Sequence, residues 1–236
     1  MDLAAVRTPS VPLARGHYES TYLLATDPAG GRALWLRDTW LKQPGQEAQP
    51  LTWLSWWDAG TVTQARAATD ATLQKGELDG HTWDLAWTSS TPEVPYLPRS
   101  LYDRPFPRSN GVALVPHGTV SGTFDGLDLT GWHAMVGHNW GAEHAPQWRW
   151  THGANGTTWF DEIRVKQYGV WITRSAVNGR TSRKPLDLRI TTHAEVHWDY
   201  ASPSGDSRTV RNCSVADAVL NGTERFQGTV AVEHGA

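Results

Sequence analysis

Turn dipeptides are the feature that most constrains how this chain can fold. Asn-Gly or Asp-Gly pairs begin at Asp79, Asn110, Asp125, Asn155, Asn178 and Asn221. Both members of such a pair tolerate positive φ, which the tight turns of antiparallel hairpins require. A chain with turn dipeptides at this spacing is predicted to be almost entirely antiparallel β structure.

The segments between these turns alternate apolar and polar residues with a period of two. The clearest cases are residues 17–26, 32–41, 51–59 and 81–89, and each is predicted to be a strand. Residues 61–74 fit a short helix, but their Thr and Val content fits a strand equally well. That segment is therefore predicted to be either a short helix or a strand.

A proline-rich stretch, residues 90–111, contains five prolines and cannot be a central strand. It is the natural place for a boundary between two β units. We therefore expect an N-terminal unit over residues 1–97 and a C-terminal unit over residues 98–236.

Length, charge and cysteine content exclude several classes of protein. A chain of 236 residues can bury a sizeable core. The single cysteine, Cys213, rules out an internal disulfide and a Cys-based zinc site. A net charge of -3 without long basic runs argues against nucleic acid as a partner. No signal peptide and no apolar run of membrane-spanning length is recognisable, so a cytoplasmic protein is expected.

Tryptophan is unusually abundant, with 14 Trp against 4 Phe and 6 Tyr. An indole combines a large apolar face with one N–H donor, which suits the wall of a ligand pocket. Residues 131–153 are the densest stretch, with four Trp and four His. A metal site, a sugar platform, a packed core and an apolar active site all have to be considered for it.

A strand over residues 132–140 would place Trp132, His138 and Trp140 on one face and His133 on the other. No HExxH or comparable ligand spacing is present, so a metal is not expected. Gly-rich phosphate loops and G-x-S-x-G turns are also missing from the sequence. Sugar-binding Trp platforms belong mostly to secreted proteins. An apolar pocket and a packed core remain.

Asp161 is the candidate acid. It shares one strand face with Trp159, and the preceding strand carries Trp148 and Trp150 on one face. Burial among aromatic rings disfavours an ionised carboxylate, and a carboxylic acid that stays neutral near pH 7 can donate a proton. The alternative is that Asp161 faces solvent or caps a backbone group.

The segments "GHNWGAEHAPQWRWTHG" and "WFDEIRV" carry a family resemblance. They resemble the hydroxyneurosporene synthase (carotenoid 1,2-hydratase) and AttH-like family, to which tocopherol cyclases and lipocalin-like Diels–Alderases are structurally related. The resemblance spans residues 98–165, and residues 17–45 resemble the start of the family more loosely. It implies two antiparallel lipocalin-like β-barrels, or one barrel with a partial partner, with the ligand inside a barrel or between the two.

The resemblance also implies a site. In the hydratases, the His and Trp of H-N-W-G and the aromatic residue and Asp of a later aromatic-x-Asp line it. Here these positions are His138, Trp140, Trp159 and Asp161. Trp159 stands where the hydratases have Tyr, which favours cyclisation or isomerisation over addition of water.

The resulting hypothesis is a cofactor-free cyclase, isomerase or hydratase acting on a hydrophobic polyene, terpenoid or polyketide. Asp161 would be the acid, His138 would orient it or accept a proton, and Trp140 and Trp159 would stack on developing positive charge. A pericyclic reaction would need only a pocket that folds the substrate. The further candidates for substrate contact are Trp148, Trp150, Trp132, Tyr22, Trp35 and Trp56.

Two alternatives stay open. A lipocalin-like carrier would bind a similar hydrophobic small molecule without changing it, and would tolerate Asn at position 161. A homodimer is also compatible with the sequence, because a Trp-rich face serves equally well as a pocket or as an interface.

Overall fold

The structure is a computed structural model that describes residues 16–102 and 109–235. No α-helix occurs within these two ranges, which confirms the all-β prediction. The strands are β1 (His17–Thr26), β2 (Arg32–Lys42), β3 (Gln49–Asp58), β4 (Thr61–Ala67), β5 (Lys75–Leu78), β6 (His81–Ser89), β7 (Val94–Pro95), β8 (Ser109–Phe124), β9 (Leu127–Asp128), β10 (His133–Gly141), β11 (Gln147–Ala154), β12 (Trp159–Gln167), β13 (Val170–Val177), β14 (Arg180–Ser182), β15 (Leu188–Thr191), β16 (Val196–Ala201), β17 (Ser207–Leu220) and β18 (Glu224–Gly235). A short 3-10 turn, Arg99–Leu101, follows β7.

The first sheet is antiparallel, with strand order β4-β3-β2-β1-β10-β8-β6-β5 and with β7 and β9 added beside β8. Its end strands β4 and β5 come together, so the sheet nearly closes into a barrel. The barrel interior is apolar and contains Leu23, Leu34, Leu54, Phe124 and Val136. Closure protects the backbone groups that an open sheet edge would expose.

The second sheet has strand order β14-β13-β12-β11-β18-β17-β15, with β16 also paired to β17. The chain changes sheet between Gly141 and Gln147. The predicted boundary at residues 97 and 98 falls inside the first sheet, because β8 and β10 return after the proline-rich stretch to pair with β6 and β1. The H-N-W-G motif on β10 therefore lies in the first sheet, not in the C-terminal unit.

The two sheets pack face to face through the outer surface of the first barrel. Every residue of β1 is buried, because alternate side chains face opposite ways. Leu23 points into the first barrel, whereas Tyr22 and Leu24 join the apolar layer that packs against the second sheet. Trp57 on β3 also crosses this layer, and its Nε1 donates to the carbonyl oxygen of Ala194 at 2.9 Å.

Most of the turn signals mark hairpins. Asp79, Asp125, Asn178 and Asn221 all have positive φ and each is followed by a glycine with positive φ. The pair at residues 155 and 156 joins β11 to β12. Strand β4 shows that the strand interpretation of residues 61–74 is the right one for residues 61–67.

Asn110-Gly111 is an exception, because the pair lies inside β8 and forms no turn. The reason is local packing. A Cβ atom on Gly111 would lie 2.8 Å from Cδ2 of Tyr96, and the Gly111 carbonyl accepts hydrogen bonds from the Tyr96 N–H and the Tyr102 hydroxyl. The glycine at this position serves close approach of an aromatic ring rather than a change of chain direction.

The architecture is that of a lipocalin-like double barrel with a nearly closed first barrel and a second sheet. Across residues 16–102 and 109–235, no helix has the length and apolar character needed to cross a membrane.

Candidate functional site

A cavity of about 650 Å³ lies between the two sheets. This volume falls within the usual range for small-molecule sites. Aromatic side chains from both sheets form much of its wall, among them Tyr22, Trp53, Tyr96, Trp148, Trp150 and Tyr200. The cavity is bounded by the outer face of the first barrel, not by its interior.

Tyr22 and Trp150 form the inner end of the cavity. Their rings meet edge to face, with centroids 5.6 Å apart, and Trp35 packs against both. Tyr22 can lie flat on the neighbouring strand only because residue 137 is glycine. A Cβ atom on Gly137 would overlap the Tyr22 ring.

A partly buried ion pair ties the two sheets together at the cavity wall. Arg37 Nη2 donates to Glu233 Oε2 at 2.6 Å, and Trp148 Nε1 donates to Glu233 Oε1 at 3.2 Å. The Arg37 guanidinium also lies 4.5 Å from the centre of the Trp35 ring. Because each charge is compensated by the other, this part of the wall suits a neutral ligand.

Asp161 is buried, with 1% of its surface exposed, so the solvent-facing alternative does not apply. Trp150 Nε1 donates to Asp161 Oδ1 at 2.9 Å, and His152 Nδ1 lies 3.6 Å from the same oxygen. Asp161 is not part of the cavity wall itself. It lies behind Trp150 and fixes the orientation of that ring.

Tyr96, which follows β7, belongs to the cavity wall, and its hydroxyl oxygen is buried. Asp161, Trp150 and Tyr22 all lie close enough to this hydroxyl to affect its ionisation, although none of these contacts has full hydrogen-bond geometry. Burial, reinforced by the negative charge of Asp161, raises the pKa of Tyr96 well above the usual value. The side chain therefore stays a neutral phenol.

Sequence reasoning missed Tyr96, because the proline-rich stretch was interpreted only as a boundary. The signal that could have found it is the presence of two tyrosines, Tyr96 and Tyr102, among prolines in a segment with no other reason to be aromatic.

His138 does not contact Asp161. It lies on the opposite face of β10 from the cavity, with Nε2 2.8 Å from Glu19 Oε1, and its ring stacks on Trp140 at 4.5 Å. Burial acts to raise the pKa of Glu19, but the hydrogen bond from His138 and the nearby His17, whose Nε2 lies 3.8 Å from Glu19 Oε2, outweigh it and lower the pKa. Glu19 is therefore the acceptor for the His138 N–H, and Asn139 is the residue of the motif that lines the cavity.

The remaining candidates fall in separate places. Trp148, Trp150 and Tyr22 line the cavity, whereas Trp35 borders a minor pocket of about 20 Å³ beside it. Trp56 and Trp132 stack on each other at the core of the first barrel. Trp159 packs between the sheets and stacks on His117. The structure thus brings together Asp161, Trp150 and Tyr22, but not the set His138, Trp140 and Trp159.

Several buried histidines are held neutral. Burial lowers the pKa of His144 to about 3, assisted by the charges of Arg208 and Arg37. The pKa of His117 is lowered to about 4 by burial and by the nearby His152 and His133. Among the residues that the structure describes, no group of three or more His, Cys, Asp or Glu side chains is arranged to hold a metal ion.

Comparison with solved structures identifies the same fold elsewhere. The crystal structure of a provisionally assigned AttH protein from Nitrosomonas europaea superimposes with a TM-score of 0.54 and 13% sequence identity. The match covers 93% of this chain and 92% of that one. No protein-family model matches the sequence, and no curated protein is significantly similar to it. At this identity the likeness shows a common fold.

Proposed function

We propose that the protein is a cofactor-free enzyme that binds a hydrophobic polyene, terpenoid or polyketide between its two sheets and cyclises or isomerises it. The observation that carries the proposal is Tyr96, a residue of the aromatic cavity wall whose buried hydroxyl has no hydrogen bond of full geometry. A buried unpaired donor is costly, and an oxygen atom on a ligand would satisfy it. The expected substrate is therefore apolar with a carbonyl or hydroxyl group.

Tyr96 is proposed as the catalytic residue. As a neutral phenol it would donate a hydrogen bond to the substrate oxygen. Trp150 and Tyr22 present aromatic surfaces at the same end of the cavity. These surfaces would stabilise positive charge that develops on the substrate.

Asp161 is proposed as a positioning residue, because it reaches the cavity only through Trp150 and Tyr96. It holds the Trp150 indole by the hydrogen bond to Nε1, and its charge adds to burial in raising the pKa of the neighbouring Tyr96. His138 is assigned no chemical role in this scheme. Its contact with Glu19 and Trp140 belongs to the first barrel.

Kinship with the AttH-like and hydroxyneurosporene synthase group is part of the proposal. The H-N-W-G motif and the common fold with the Nitrosomonas europaea protein support it. The substrate itself is to be identified by experiment.

The test is liquid chromatography with mass spectrometry on purified protein incubated with linear polyenes, prenylated compounds and polyketides. Parent protein is run beside Tyr96→Phe, with Tyr200→Phe as a matched control. Tyr200 also has a buried hydroxyl without a partner and lines the same cavity, but away from Asp161. We expect a product of unchanged mass from the parent and from Tyr200→Phe, and about 100-fold less from Tyr96→Phe.

Other outcomes would revise the function in defined ways. A product heavier by one water would mean a hydratase. Equal conversion by all three proteins would remove Tyr96 from the chemistry and favour a pericyclic reaction. Binding without conversion by any of them would mean a carrier.

A further inference from the structure

The exposed large hydrophobic side chains are confined to one hairpin. Over residues 16–102 and 109–235 there are four of them: Tyr168 (84% exposed), Val170 (62%), Trp171 (46%) and Ile172 (46%). They lie at the tip that joins β12 to β13, where Tyr168 and Gly169 both have positive φ. An apolar patch of this kind on a protein surface usually marks an interaction site.

This tip is apolar on both of its faces. Trp171 pairs with Lys166 across the hairpin, whereas Val170 and Ile172 point to the opposite face, as alternation in a strand requires. A flat protein partner would cover only one of these faces. A lipid surface surrounds an inserted tip on both sides, and Trp and Tyr are the residues that favour the membrane–water interface.

Basic residues surround the tip. The segment from Ile163 to Arg174 contains Arg164, Lys166 and Arg174 and no Asp or Glu. The Arg164 guanidinium lies 5.5 Å from the centre of the Trp171 ring. Basic groups beside an apolar tip complement the negative headgroups of an anionic membrane.

The hairpin also forms part of the cavity mouth. Gln167, Ile172 and Arg174 belong to the cavity wall. A protein docked through this tip would therefore hold its cavity next to the acyl chains, so that an apolar ligand could pass between bilayer and cavity with little exposure to water.

We propose that the β12–β13 hairpin docks the protein on an anionic membrane surface. Residues 168–172 would insert at the interface, with Arg164, Lys166 and Arg174 on the headgroups. The inference does not depend on the chemistry proposed for the cavity, since it rests only on the exposure and charge of the hairpin.

The first experiment is co-sedimentation with phosphatidylcholine vesicles, with and without phosphatidylglycerol. We expect binding to the phosphatidylglycerol vesicles only, weakened by salt. The double variants Val170→Ser with Trp171→Ser, and Lys166→Gln with Arg174→Gln, should each bind about tenfold more weakly. Arg180→Gln with Arg183→Gln removes two exposed basic residues at the next turn and should bind like the parent.

The second experiment places a polarity-sensitive dye on the tip through Val170→Cys. Labelling is specific because the natural cysteine, Cys213, is 1% exposed. The dye emission should shift to the blue when anionic vesicles are added. Thermal unfolding followed by circular dichroism checks that each variant remains folded.

The proposal fails if the parent does not bind anionic vesicles, or if the Val170 and Trp171 substitutions leave binding unchanged. It also fails if sedimentation velocity shows a dimer that these same substitutions dissociate. In that case a second copy of the chain covers the tip.

Discussion

At the scale of single residues, tryptophan serves two purposes in this protein. The indole rings form the aromatic surfaces, and their N–H groups satisfy buried acceptors. Trp150 donates to Asp161, Trp148 donates to Glu233, and Trp57 donates to a backbone carbonyl in the loop between β15 and β16. These three tryptophans thus combine apolar area with hydrogen-bond donors in the layer between the sheets.

Replacement of Asp161 tests this pairing. Asp161→Ala would leave the Trp150 N–H buried without an acceptor, and we expect it to lower the free energy of unfolding by about 2 kcal/mol. Asp161→Asn keeps an acceptor oxygen and should cost less than about 1 kcal/mol. Urea unfolding measures both. Equal losses for the two variants would show that the hydrogen bond contributes little.

At this scale the sequence correctly predicted which side chains share a strand face, but it did not predict all of their contact partners. Alternation within a strand predicts that Trp159 and Asp161 share a buried side. The partner of His138 could not be predicted in the same way. Glu19 lies 119 positions away along the chain, and only the non-local pairing of β1 with β10 brings the two together.

At the scale of elements, β10 separates two environments. His138 and Trp140 face the side of the first barrel, whereas Met135 and Gly137 face the layer between the sheets. At Gly137 the packing of β1 depends on the absence of a side chain on β10. The Tyr22 ring of β1 occupies the space that a side chain there would need.

Gly137→Ala is therefore predicted to destabilise the protein. The added methyl group must displace the Tyr22 ring, at a cost of about 2 kcal/mol. Gly156→Ala is the matched control, since a Cβ atom at that turn meets no atom within 4 Å, and it should change stability by less than about 0.5 kcal/mol. Thermal unfolding of both variants provides the comparison. A neutral Gly137→Ala would mean that the ring has room to move.

Prediction from sequence succeeded for elements wherever the signal is local. The segments 17–26 and 81–89 coincide with β1 and β6. Prediction from sequence failed at Asn110-Gly111, which forms no turn, and at the boundary between the two sheets. Both features depend on which distant segments of the chain pack together. The order of strands in a sheet is decided by such contacts and not by the pattern within a strand.

At the scale of the whole molecule, burial of neutral histidines makes stability depend on pH. In the unfolded chain a histidine gains a proton near pH 6.5. The lowered pKa values of His117 and His144 mean that the folded protein does not take up those protons until about pH 4 and 3. Their contribution to stability is therefore complete above pH 6.5 and is lost progressively as the pH falls below it.

We expect the free energy of unfolding to fall by about 1–2 kcal/mol between pH 7 and pH 5 through His144, and by less through His117, which is only half-buried. The His144→Gln variant should show a shallower fall over the same range, whatever its stability at pH 7. Urea unfolding at a series of pH values measures the slope. Parallel slopes for parent and variant would argue against a neutral, buried His144.

The location of the ligand is the most direct test of the proposed site. A polyene alcohol bearing a diazirine is photolysed with the protein, and the labelled peptides are mapped by mass spectrometry. If the cavity between the sheets is the site, label will appear around Tyr22, Tyr96 and Trp150. Label confined to residues inside the first barrel, such as Leu54 and Phe124, would place the ligand there and contradict the site.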